Sequence, residues 1–202
     1  MRFIIGIDEA GRGPLAGPVT VGVFRAPEKF KTKLIKLLGG RIKDSKQLSP
    51  EKRSSIFKEL KKLMISGEVD FRVAHSSSKI IDRIGISKAI SRAIANSLKK
   101  LYHTSLKYNG AHCIVRLDGL LKAPPRFKNQ KTIIGGDAKD VFIACASIVA
   151  KVSRDRLMCR LARRYPLYAF HIHKGYGTKL HQKMLREHGL SDLHRVSFCA
   201  KV

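Results

Sequence analysis

Apolar positions along this 202-residue chain fall into two rhythms. Short runs of the strand kind, continuous or alternating, are RFIIGID (2–8), PVTVGVFRA (18–26), VDFRVAHS (69–76), AHCIVRLDG (111–119) and KTIIGGD (131–137). Spacings of three and four mark helices. Ile56, Leu60, Leu63 and Met64 share a face after Ser49, a capping residue, with Pro50 at the first helical position. Ile86, Ile90, Ile94 and Leu98 do the same in ISKAISRAIANSLKKLY. A long helix is predicted from about Ala138 to Arg164, stopping before Pro166, and a last one over Lys179 to His188, capped by Thr178 and stopped by Gly189. Strands first, with helices interspersed, predict an α/β fold with a mixed central sheet flanked by helices and a small helical C-terminal part. No internal repeat or low-complexity linker interrupts the pattern, and the length suits one domain over residues 1–202.

Charge adds a partner to this picture. Lys and Arg number 41 against 15 Asp and Glu, a formal net charge of +26 that repels itself in the folded state and points to a polyanion, nucleic acid first. A basic ribosome-associated protein fits the charge as well. The four cysteines, Cys113, Cys145, Cys159 and Cys199, have no CxxC or metal-ligand spacing, which argues for a reducing compartment without a disulfide framework or zinc site. The N-terminal run turns acidic too soon for a signal peptide, and no apolar run approaches 18 residues, so a soluble, cytoplasmic protein without membrane attachment is expected.

Among so few acids, position is informative. Most sit among lysines on predicted helices, as solvated surface charges do. Asp8 and Glu9 instead end the first strand, Asp118 ends CIVRL, and Asp137 follows TIIGG at the mouth of the long helix. Strand ends and helix starts are where α/β proteins assemble sites. Asp137 taken alone could be a helix cap, and Asp118-Gly119 a turn. Adjacent carboxylates such as Asp8 and Glu9 raise each other's pKa unless a cation sits between them. Carboxylates without cysteine or histidine partners suit Mg²⁺ or Mn²⁺, and in a basic chain that combination points to phosphodiester chemistry with two metal ions. Asp140, one turn from Asp137, is a weaker candidate. Asp155, eighteen residues on, would lie roughly 27 Å away along a continuous helix and is excluded.

With those acids located, the motifs GIDEAGRGPLAGPV, KDSKQLS, LDG, GGDAK, ASIVAKVSRDR and HKGYGTKLHQKMLREHGLSDLHRVSF occur in an order that resembles bacterial ribonuclease HII, from Phe3 to about Phe198. The pairing of DEAGRGP with KGYGT is the specific part. The related HIII type usually lacks the arginine between the turn glycines and carries an extra N-terminal domain, so Gly11-Arg12-Gly13 favours HII. The resemblance implies a ribonuclease H-like fold and a metal-dependent endoribonuclease. It would cleave RNA in RNA/DNA hybrids and cut 5′ of single ribonucleotides in duplex DNA, leaving 3′-hydroxyl and 5′-phosphate ends. It implies that Asp8, Glu9, Asp118 and Asp137 hold the metals, and that Gly11, Arg12 and Gly13 contact the ribose 2′-hydroxyl and adjacent phosphates. Tyr176 would stack on the deoxyribose at the RNA–DNA junction, and Ser45 and Lys46 would belong to a phosphate-contacting loop. Residues from about 165 to 202 would form a substrate-contacting segment, and the protein would act as a monomer in ribonucleotide excision and primer removal.

These roles make physical sense. Glycines 11 and 13 let backbone approach a sugar, whose 2′-hydroxyl alone distinguishes RNA. Tyr176, between two glycines, has little local core to enter. Gly135 stands where the family often has lysine. Two rivals remain: another ribonuclease H-like nuclease, such as a junction resolvase, and a non-catalytic basic RNA-binding protein.

Overall fold

The computed structural model describes residues 1–42, 48–103 and 113–200. Its centre is β1 (Phe3–Ala10), which pairs antiparallel with β2 (Val19–Pro27) on one side and parallel with β4 (Cys113–Asp118) on the other. Adding β3 (Asp70–Ser76) and β5 (Gln130–Ile133) gives a mixed five-stranded sheet in the order β3-β2-β1-β4-β5. All five strands lie where the hydrophobic pattern predicts.

The first strand is apolar without alternation because both sheet faces are covered. Ile4 and Phe24 pack with Leu34 of α1 (Lys31–Leu37), Ile56 and Leu60 of α2 (Pro50–Ile65), and Phe142, Cys145 and Val149 of α6 (Val141–Ala162). Ile5, Ile7, Val21 and Val23 face Ala89, Ile90, Ile94 and Leu98 of α4 (Ile86–His103), with Ile81 of α3 (Ser78–Ile84) beside them. The helix α6 can lie directly on the sheet because β1 and β2 present glycines to it: a Cβ on Gly6 would stand 2.1 Å from Phe142 O, and one on Gly22 2.4 Å from Ala146 O.

The long helix differs from the prediction. It begins at Val141 and ends at Ala162, preceded by a separate short helix α5 (Gly136–Lys139). Between them Asp140 is extended (φ −126°, ψ 121°), and its carboxylate accepts from Phe142 N–H and Ile143 N–H and pairs with Arg116 at 2.6 Å. Asp140 is therefore the cap of the long helix, a role Asp137 was a candidate for, and its carboxylate is committed.

Beyond α6 come a 3₁₀ turn at Pro166–Tyr168, α7 (Phe170–His173), α8 (Lys179–His188) and α9 (Val196–Cys199). Thr178 and Gly189 bound α8 as expected. Tyr168, Phe170 and Leu185 form a third apolar cluster with Ala16 and Met158. Backbone bonds lace this segment to the loop after β1: Leu15 N–H and Ala16 N–H donate to Gly175 O, Gly17 N–H to Leu193 O, and Arg195 N–H to Leu15 O. Among the described residues, no helix is long and apolar enough to cross a membrane.

Candidate active site

The parallel register of β1 and β4, with Ile7 opposite Leu117, carries Asp8 and Asp118 to neighbouring strand ends. Strand alternation turns Asp8 to the face that α6 covers, where the Ser147 hydroxyl reaches its carboxylate. Asp137 enters from α5 and is nearly buried. Asp8, Glu9, Asp118 and Asp137 thus line one cleft of about 610 Å³, together with Gly11, Arg12, Gly13 and Tyr176. Three residues that sequence reasoning did not single out, Arg53, Ser147 and Lys151, line it as well. Ser147 and Lys151 are one turn apart on α6, and a polar pair at that spacing inside VFIACASIVAKV was the available signal.

Asp8 carries the electrostatic signature of the site. Burial first, then the Glu9 carboxylate and more weakly Asp118, push its pKa well above the usual carboxylate range, against hydrogen bonds from Ser147 and from Glu9 N–H at 2.7 Å. The other acids are held by local partners. Glu9 accepts from Arg12 Nε at 2.8 Å, and Asp118 accepts from Gly136 N–H at 2.6 Å. So held, no three His, Cys, Asp or Glu side chains among the described residues form a ready cage for an ion. The donor set nonetheless fits a hard cation: the cleft acids offer carboxylate oxygens only, and the raised proton affinity of Asp8 marks negative charge that a cation would balance.

The turn glycines have separate reasons. Gly11 has φ 87°, and a Cβ there would meet Arg154 Nε at 2.0 Å, so the protein itself demands glycine. A Cβ on Gly13 would meet nothing within 4 Å, and the residue lines the cleft. Arg12 extends into solvent and pairs with Glu9. Tyr176 is 40% exposed, with Lys151 Nζ and the Arg154 guanidinium 5.5 and 5.6 Å from its ring centroid. Gly135 is left-handed (φ 63°, ψ 39°), and Lys139 from the next turn bonds Ile134 O beside it.

Ser45 and Lys46 lie outside the described residues. Asp155 pairs with Lys151 at 3.0 Å and lines a neighbouring basic groove with Arg156, Arg160 and Lys174 rather than the acidic cleft. His171 is exposed, while His173 is buried and bonded to Tyr168 O and Gly175 N–H.

The sequence matches the family Ribonuclease HII over residues 5–201. It is 43% identical to a ribonuclease HII of Caldicellulosiruptor bescii, covering 100% of this chain and 88% of that one, and 43% identical to a ribonuclease HII of Endomicrobium trichonymphae, covering 96% and 84%. Among solved structures it resembles the ribonuclease H2 of Pyrococcus horikoshii (TM-score 0.72, 25% identity, covering 96% and 93%). It also shares its fold with Bst ribonuclease HIII crystallised with Mn²⁺ (TM-score 0.76, 20% identity, covering 98% and 67%).

Proposed function

The chain belongs to the ribonuclease HII family, a family of nucleases, and from that premise we propose that it hydrolyses the RNA strand of RNA/DNA hybrids and cuts 5′ of single ribonucleotides in duplex DNA. The observation that carries the reading is the meeting of four carboxylates with the Gly11-Arg12-Gly13 turn and Tyr176 in one cleft. Phosphodiester chemistry and a ribose test then share a single substrate position.

Asp8, Glu9, Asp118 and Asp137 would hold divalent Mg²⁺ or Mn²⁺, two ions during catalysis. Bound there, such ions supply a deprotonated water and neutralise charge on the departing oxygen. Ser147 keeps the buried Asp8 oriented. To hold such ions, Glu9 and Asp118 would exchange their bonds to Arg12 and Gly136 for coordination. Backbone N–H groups of the glycine turn receive the 2′-hydroxyl, and the Tyr176 ring stacks on the next deoxyribose. Lys151 and Arg53 bind flanking phosphates and release the counterions condensed on them, which makes binding salt-dependent. Water adds to phosphorus in line, the bond to the 3′ oxygen breaks, and that oxygen leaves as a hydroxyl opposite a 5′-phosphate. The protein acts as a cytoplasmic monomer in ribonucleotide excision and in removal of primers and hybrids.

The test is cleavage mapping on a 5′-labelled DNA duplex with one embedded ribonucleotide, with Mg²⁺, with Mn²⁺ and with chelator. One cut 5′ of the ribonucleotide, absent with chelator and absent on all-DNA duplex, is expected. Equal cutting of the all-DNA control would leave a resolvase-type nuclease as the reading. No metal-dependent cleavage at all would leave a basic RNA-binding protein.

A further inference from the structure

Two arginines with no solvent exposure, Arg154 on α6 and Arg195 before α9, lie directly beneath the glycine turn. Neither forms a salt bridge among the described residues. Their donors go to main-chain carbonyls instead. Arg195 Nη2 donates to Gly11 O at 2.7 Å, Nη1 to Arg12 O at 2.8 Å and Nε to Gly17 O at 3.0 Å. Arg154 Nε donates to Pro18 O at 2.9 Å, Nη2 to Ala16 O at 3.2 Å and Nη1 to Lys174 O at 3.0 Å. A buried cation with no carboxylate in direct contact carries a desolvation cost that packing alone does not call for.

The geometry points to a role for that cost: resting on the reading above, we infer that Arg195 and Arg154 are positioning residues that aim the backbone N–H groups of Arg12 and Gly13 at the substrate's 2′-hydroxyl. Peptide geometry sets this orientation. In a trans peptide the carbonyl of one residue and the N–H of the next point in opposite directions, and no peptide among the described residues is cis. Arg195 draws the Gly11 and Arg12 carbonyls into the protein, so the N–H groups of Arg12 and Gly13 face outward, on the side where these residues line the cleft. Neither N–H has an acceptor among the described residues. A cation on each carbonyl also polarises its peptide and strengthens the N–H as a donor.

Arg154 fixes the second half of the device. Its side chain runs against Gly11, leaving no room for a Cβ there. Its bond to Lys174 O holds the peptide two residues before Tyr176, where Lys174 itself is left-handed at φ 53°. One guanidinium therefore sets the distance between the ribose-facing turn and the ring proposed to stack on the adjoining sugar. Lysine would keep the charge but lose the fork, since a single ammonium cannot take the place of three separate guanidinium nitrogens each bonded to its own carbonyl.

The test compares wild type with Arg195→Lys and Arg154→Lys, each checked for fold by circular dichroism and melting. Binding is measured in chelator, to a duplex with one ribonucleotide and to the same duplex all-deoxy. Wild type should prefer the ribonucleotide duplex, and Arg195→Lys should lose about tenfold of that preference, the worth of one good hydrogen bond, losing more affinity for the ribonucleotide duplex than for the all-deoxy one. Arg154→Lys should lose it too. A folded lysine variant that keeps the full preference overturns the inference, whereas a wild type with no preference overturns the reading beneath it. Should both variants fail to fold, wild-type amide exchange decides the matter: Arg12 and Gly13 amides must become protected with the ribonucleotide duplex and not with the deoxy duplex, and equal protection overturns the inference.

Discussion

Arg12 Nε and Glu9 Oε1, 2.8 Å apart, join the glycine turn to the acidic end of β1, the two parts of the cleft proposed to meet substrate and metal. The pair is half in solvent, so it adds less than about 1 kcal/mol to stability. Its consequence is competition: while Arg12 holds Glu9, a divalent ion must displace it. Arg12→Ala is therefore expected to tighten Mn²⁺ binding in the absence of nucleic acid by about two- to fivefold, read by calorimetry. Glu9→Gln should weaken it. Weaker Mn²⁺ binding in Arg12→Ala would mean that the arginine helps shape the site and does not compete for it.

Asp8 predicts a trade between function and stability. Its pKa is raised in the fold by burial and by Glu9, so in chelator it favours folding fully only below the unfolded value near 3.8. That contribution is lost as pH rises through the raised folded pKa. Asp8→Asn removes the charge. In chelator at neutral pH its melting temperature should exceed wild type by a few degrees, about 2–4 °C per kcal/mol at this chain length. The gap should close in acid. The same variant should lose at least roughly 10³-fold in kcat. A melting temperature below wild type at neutral pH would contradict the electrostatic account.

What could be read from the sequence was whatever is local. Asp8, Glu9 and Asp118 stand at the ends of apolar runs, and the register of β1 with β4 brings their strand ends together as a parallel pairing must. The break before α6 was hidden because Ala138 and Lys139 are good helix formers, while the Asp140 cap depends on Arg116 from another strand. Arg154 and Arg195 were hidden more deeply. Among 41 basic residues they read as two more surface cations, yet their carbonyl partners Ala16 and Gly11 lie 138 and 184 residues away in the chain. No periodicity records a contact of that span.

The turn that presents Tyr176 should be acid-sensitive. His181 Nδ1 meets Tyr176 O at 2.9 Å, so it carries the proton, and Nε2 accepts from His194 Nε2–H at 3.0 Å. His194 Nδ1 in turn accepts from Ser191 N–H. His173 stacks on His181, donates to Tyr168 O and accepts from Gly175 N–H. Every ring nitrogen is committed in the neutral form. Burial, with His173 and His194 alongside, lowers His181 to about 4, and burial lowers the other two, with Lys174 and His171 adding to the effect on His173. Below pH 6.5 the unfolded chain takes up protons that the fold refuses, so stability should fall from pH 6.5 towards 4 and level off below. Melting temperature against pH checks this, and His181→Gln should flatten the curve. The comparison is made in Asp8→Asn, which lacks the opposing contribution of the buried carboxylate, and a melting temperature constant over that interval there would show that the histidines titrate normally.

The two glycines of the turn should fail in different ways. Gly11→Ala puts a methyl where the backbone has φ 87° and where Arg154 Nε stands 2.0 Å away. It should cost about 2–4 kcal/mol of stability, seen as a lower denaturation midpoint, because both the left-handed strain and the overpacking fall on the folded protein. Gly13→Ala adds the same methyl where nothing lies within 4 Å and φ is not positive. Its stability should change by less than about 0.5 kcal/mol. Gly13 lines the cleft, so a methyl there is expected to enter the space proposed for a ribose edge. KM for a ribonucleotide-containing duplex should therefore rise by about tenfold or more while the melting temperature holds, because steric exclusion from a close backbone approach acts on binding and not on the fold. Equal stability losses in the two variants would mean that Gly13 serves the turn alone. Unchanged KM in a folded Gly13→Ala would move the ribose contact away from this segment.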